Sequence, residues 1–109
     1  MGKFLIFFLF TMVMALLKQY PDSVIESWST GKLGALYMSS FAISRKHDPS
    51  ESSQLERVTA ILAARDFKER LGVRSHMEAA LSSYVAQEDY ERASLWRDMI
   101  LHYNMHVLG

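Results

Sequence analysis

The sequence predicts an all-α fold, a small bundle of five or six helices ending in an antiparallel helical hairpin. Three observations carry that prediction. Apolar residues recur at helical spacing, and no stretch alternates apolar and polar residues as a half-buried strand would. Three Ser-x-x-Glu pairs read as capping boxes. Two prolines and five glycines leave little to interrupt helices in a chain of 109 residues.

The elements follow in order. Phe4 to Leu17 is an unbroken run of uncharged residues, all apolar but Thr11, bracketed by Lys3 and Lys18. As a helix it would be about 21 Å long, against a bilayer hydrocarbon core of about 30 Å. Three readings stay open: a helix buried in protein, a membrane anchor, or a cleaved signal peptide. The last lacks a small-x-small cleavage site after Leu17. Pro21 ends this segment. Ser23-x-x-Glu26 opens a short helix through Trp28, and Thr30-Gly31 breaks the chain. Leu33, Leu36, Tyr37, Ser40, Phe41 and Ser44 share a face of a helix over 32–45. A polar loop follows at 45–50.

Ser53-x-x-Glu56 opens the next helix, which is expected to run to Leu71 and stop at Gly72. Leu55, Val58 and Leu62, with Ile61 beside them, line its buried face. Asp66–Arg70 and Arg65–Glu69 have the spacing of i,i+4 pairs on its outer side. Ser75-x-x-Glu78 then opens the first helix of the hairpin, and Asp89 caps the second. Residues 1–20 form a hydrophobic N-terminal helix, buried or membrane-associated. Residues 21–109 form a single helical domain with the hairpin at 75–104.

Composition narrows the function. The 12 basic and 12 acidic residues cancel, so there is no electrostatic footprint for direct nucleic-acid binding. The absence of cysteine excludes disulfides, thiolate metal sites and thiol nucleophiles. Gly31-Lys32-Leu33-Gly34 lacks the spacing of a phosphate loop, and no nucleophile elbow occurs. Asp98, His102 and His106 repeat at i, i+4 and i+8, a spacing that can face zinc. They lie in the last turns of the chain with no fourth ligand, and a solvated face is the expected reading. No catalytic residue, cofactor or metal is expected.

The hairpin carries the signal. In its first helix Met77, Leu81, Tyr84 and Val85 share a face, with Ala80 beside them. In its second, Ala93, Trp96, Ile100 and Tyr103 do so. Ala93 allows close approach of the helices. Trp96, centred in an interface, would cost on the order of 2 kcal/mol on truncation. Arg97 and Asp98 are neighbours that point apart, so each should reach another helix or chain. Glu91 suits the positive end of the helix dipole.

Leu81, Glu88, Asp89, Tyr90, Glu91, Ala93, Arg97, Asp98 and Ile100 together resemble the UVR motif. This is the helical hairpin shared by the excision-repair proteins UvrB and UvrC and found in some Clp ATPases and McsA-type regulators. The chain departs from the family pattern at Ser94, where alanine is preferred, and at Trp96, where leucine is. The resemblance implies protein–protein contact, by antiparallel pairing with a like hairpin or by docking on another protein, and not catalysis. The expected function is therefore a non-enzymatic adaptor or regulatory subunit that binds another protein or a second copy of itself as a homo-oligomer, cytoplasmic, with membrane association through Phe4–Leu17 left open. Its contact residues would be Leu81, Tyr84, Tyr90, Glu91, Ala93, Trp96, Arg97, Asp98 and Ile100. The alternative is a membrane-anchored helical protein whose operative feature is Phe4–Leu17.

Overall fold

Among the residues that a computed structural model of the protein describes, 20–46 and 52–109, there are five helices. They are α1 (Asp22–Ile25), α2 (Thr30–Lys46), α3 (Ser52–Ala63), α4 (Phe67–Ala86) and α5 (Tyr90–Tyr103). A π-helical turn, Asn104–Leu108, continues α5. No strand occurs among the described residues, so the bundle is all-α as its periodicity predicts. The run Phe4–Leu17 and most of the polar loop after Arg45 lie outside the described residues.

The first short helix starts at Asp22, with Pro21 as its non-helical neighbour and no side-chain cap. The Ser23–Glu26 box is therefore not formed, and the helix ends before Trp28. Side chains of α3 hold this segment instead. Gln54 Oε1 accepts from the Tyr20 N–H at 3.1 Å, and Arg57 donates to the Tyr20 carbonyl and to Asp22. Arg65 donates to the carbonyls of Glu26 and Trp28. One turn of helix cannot stand by its own hydrogen bonds, and these tertiary contacts take their place.

Thr30 begins α2 rather than breaking the chain. Ser29 Oγ accepts from the Lys32 N–H, satisfying a free donor of the first turn. Thr30 is buried, and its hydroxyl donates to Glu69 Oε2 at 2.5 Å. Leu33, Leu36 and Tyr37 point into the core as their spacing predicts, and Ser40 is buried with them.

The largest departure lies between α3 and α4. The expected helix from Ser53 to Leu71 is broken at Ala64–Asp66, and α4 then runs unbroken through Gly72 and the Ser75–Glu78 pair. Two side chains account for the break. Arg65 turns away to the carbonyls near Trp28, and Asp66 caps α4 by accepting from the Lys68 N–H at 3.1 Å. Neither expected i,i+4 pair is made with those groups so engaged: Glu69 accepts from Thr30, and Arg70 donates to the Val107 carbonyl. Gly72 inside a helix costs about 1 kcal/mol relative to alanine. Its neighbour Val73 offsets this by packing on α2, where Gly34 lets the helices meet. A Cβ on Gly34 would sit 2.9 Å from Val73 Cγ1.

The core gathers Leu33 and Tyr37 from α2, Leu55, Val58 and Leu62 from α3, and Val73 and Met77 from α4. Met99, Tyr103 and Val107 close it from the C-terminal segment. Leu55, Val58 and Leu62 thus sit where their spacing placed them, with Ile61 at the edge.

Candidate protein-interaction surface

The hairpin turn is built by backbone geometry. Glu88 has φ 58°, the left-handed region. The Glu88 N–H donates to the Val85 carbonyl and the Asp89 N–H to the Tyr84 carbonyl. This is the doubly bonded Schellman ending of a helix. Asp89 then caps α5, its carboxylate accepting from the Arg92 N–H at 3.3 Å and pairing with the Arg92 guanidinium. One residue thus reverses the chain and the next starts the second helix.

Each expected contact residue has a definite place. Ala93 is buried, at 6% exposure. Leu81 and Tyr84 are half-buried. Tyr84 stacks on Trp96 with centroids 6.3 Å apart, and Arg92 lies over the Tyr84 ring. Trp96 and Ile100 are partly buried against the chain's own core. Tyr90, Glu91 and Arg97 face solvent.

Asp98 reaches another helix, as expected. Its carboxylate pairs with Arg45 of α2 at 2.7 Å, and Arg45 also donates to the Ser94 carbonyl. The expectation that Arg97 and Asp98 cannot pair does not hold. Asp98 Oδ1 lies 3.4 Å from Arg97 Nη2. Arg45 draws the Asp98 carboxylate to one side, and the long arginine side chain bends back to meet it. Both are solvated, so the pair contributes about 0–1 kcal/mol.

The imidazole of His102 also turns inward. Its Nδ1 hydrogen-bonds the Tyr37 hydroxyl at 2.5 Å, and its ring lies 4.4 Å from that of His106. Burial, then the neighbouring His106, lowers its pKa below the usual histidine value. Burial raises the Tyr37 hydroxyl well above the usual tyrosine value, with Tyr103 adding to it. It pushes Tyr103 up to about 12, against the opposing pull of Arg70 and Arg74. The Tyr103 hydroxyl donates to the Arg70 carbonyl, tying α5 to α4. With Asp98 on Arg45 and His102 on Tyr37, the i, i+4, i+8 series does not converge. Among the described residues no set of three or more ligating side chains is placed to hold a metal ion.

What remains outward on α5 and the π-helical turn that continues it is a stripe that sequence reasoning caught only in part. Tyr90, Ser94, Arg97, Leu101 and Met105 follow one another at spacings of three or four residues, the repeat that keeps side chains on one helical face. Tyr90 is 65% exposed, Leu101 57% and Met105 71%. Leu101 and Met105 were missed because they lie between core residues in sequence. Leu101 follows Arg97 by four residues and Met105 follows Leu101 by four, and that repeat was the available signal. Val85, 48% exposed, adds an apolar group near the turn.

Fold and surface together define a small helical bundle that ends in a hairpin with a partly apolar outer face. Residues 73–103 match the UvrB/uvrC motif, UVR. The match covers α4 from Val73 onward, the turn and all of α5, and confirms the resemblance carried by Tyr90-Glu91 and Arg97-Asp98. No curated protein and no solved structure matches the chain. No helix among the described residues is long and apolar enough to cross a membrane.

Proposed function

We propose that this protein is a non-enzymatic interaction module, an adaptor or regulatory subunit, that docks through the outer face of α5. One observation carries the reading: three large apolar side chains, Tyr90, Leu101 and Met105, stand in solvent along one face of a helix inside or beside the UVR match. A helix whose inner face is already buried has no internal use for a second apolar stripe. The UVR match supports protein contact in general. The balanced charge argues against direct nucleic-acid binding.

The stripe is self-complementary, which favours a second copy as occupant. Tyr90 and Met105 are equally far in sequence from the Arg97–Asp98 peptide bond, and so are Ser94 and Leu101. Two α5 helices laid antiparallel about that point set Arg97 against the partner's Asp98. Ser94 then faces the partner's Leu101, and Tyr90 faces the partner's Met105. Small meets large, sulfur meets aromatic ring, and the charges alternate. A contact of this kind is isologous, with the same patch on both subunits.

Sedimentation across a concentration series tests the reading. The wild-type chain should dimerise, and Leu101→Lys should weaken the dimer at least about tenfold, since a burial of this type is worth about 1.5–3 kcal/mol. Far-UV circular dichroism should stay unchanged, because Leu101 touches solvent. A wild-type chain that stays monomeric at about 100 μM, well above the range expected of a specific interface, would exclude self-pairing. The same variant in a pull-down would then ask whether the stripe serves a different protein.

A further inference from the structure

We propose that the groove between α2 and α4 seats this chain's own apolar run, Phe4–Leu17, and so shields it from lipid. The proposal is independent of the hairpin reading. Gly31, Ala35 and Met38 form one wall, at the spacing of a single face of α2, and Gly72 and Val73 form the other. The helices touch at Gly34 and Val73, which makes the floor. Above it the groove is open: nothing lies within 4 Å of where a Cβ on Gly31 or Gly72 would stand. Glu69 and Thr30 mark its mouth.

The occupant follows from where the described chain begins. The Tyr20 backbone is fixed by Gln54 and Arg57, and its ring meets Trp28 edge-on at 4.9 Å. Trp28 directly precedes Ser29 and Thr30 at the mouth. Leu17 lies three residues before Tyr20, a reach of about 10 Å. The end of the run is thus tethered through Tyr20 to Trp28, the residue before the groove-lining Ser29 and Thr30. The run is apolar, as Ala35, Met38 and Val73 are, with Ser29 and His76 the polar groups beside them, and it is short for a bilayer. Lys18, just after it, matches the Glu69 carboxylate in charge.

Crosslinking of the full chain tests this, and the absence of native cysteine makes each introduced pair unique. Met12→Cys with Gly72→Cys, treated with a short bis-maleimide, should give a product of monomer mass roughly tenfold faster than Met12→Cys with Val85→Cys on the hairpin, because a seated segment raises the effective concentration. Adding Ala35→Trp should fill the groove and abolish the difference, with far-UV circular dichroism confirming the fold. Equal rates for the two pairs, a product of dimer mass alone, or a rate untouched by Ala35→Trp would overturn the proposal. So would loss of the monomer product together with binding to phosphatidylcholine vesicles, which would assign the run to lipid.

Discussion

Glu88 holds the hairpin turn in a backbone conformation that costs an L-residue about 1 kcal/mol and a glycine almost nothing. Glu88→Gly should therefore raise the melting temperature, with a gain of about 0.5–1 kcal/mol in denaturant unfolding. The two glycines of the α2–α4 crossing respond in opposite directions to one substitution. Gly72 is exposed within a helix and its Cβ position is free, so Gly72→Ala should stabilise by about 0.5–1 kcal/mol. Gly34→Ala gains the same propensity but drives a methyl group into Val73, 2.9 Å away. Overpacking of that kind costs about 1–3 kcal/mol, so the net effect should be loss. Parallel urea titrations of the two variants check the pair. The sequence presents two like glycines, and nothing local separates them. Only the position of Val73 does.

At the scale of elements, the hairpin was legible and its beginning was not. The turn residues and the Asp89 cap follow from local chemistry, and the inward faces of α4 and α5 only in part: Val73 and Met99 join the core without having been singled out by spacing, and Val85, placed beside Met77, faces solvent. The start of α4 does not follow from local chemistry, because three signals competed within a few residues. Gly72 reads as a helix end and Ser75–Glu78 as a helix start, yet Asp66 is the cap that forms. It won because Arg65 has partners outside its own helix and Val73 has a place against Gly34. Trp96 shows the same dependence on context. Its size suggested an interface anchor, but it packs on Tyr84 and the edge of the core. Trp96→Ala should therefore cost about 2 kcal/mol of folding stability, less than the 3–5 of a fully buried tryptophan. The comparison of unfolding curves with binding assays separates the two roles. A variant that weakens binding at unchanged stability would return Trp96 to the contact surface.

For the whole molecule, α5 is tied to the bundle by polar contacts as well as by its core face. Arg45 holds Asp98, Tyr37 holds His102, and Tyr103 holds the backbone of α4 at Arg70. The burial of His102, with His106 beside it, makes stability depend on pH, and the sign follows from linkage. Its folded pKa is lowered, so the unfolded chain binds the proton more tightly. The stability it contributes is complete above the unfolded value of about 6.5 and is lost as pH falls from there through the folded value. Melting temperatures at pH 7.5 and 5.5 should differ more in the wild type than in His102→Gln, which cannot titrate. An equal difference in both proteins would show that other groups carry the dependence.

Taken alone, the sequence determined the helical class, the inward faces of α2 and α3 and the hairpin with its UVR-like turn. Each rests on spacing and capping within one segment, and such short-range terms are readable residue by residue. Tertiary structure decided the break at Ala64–Asp66, the unequal roles of Gly34 and Gly72, the pairing of Asp98 with Arg45 and the turn of His102 toward Tyr37. It also decided that Leu101 and Met105 join Tyr90 in facing outward while Ala93 is buried. These outcomes depend on which surfaces meet across the bundle, and a contact between distant residues leaves no periodic trace in either segment.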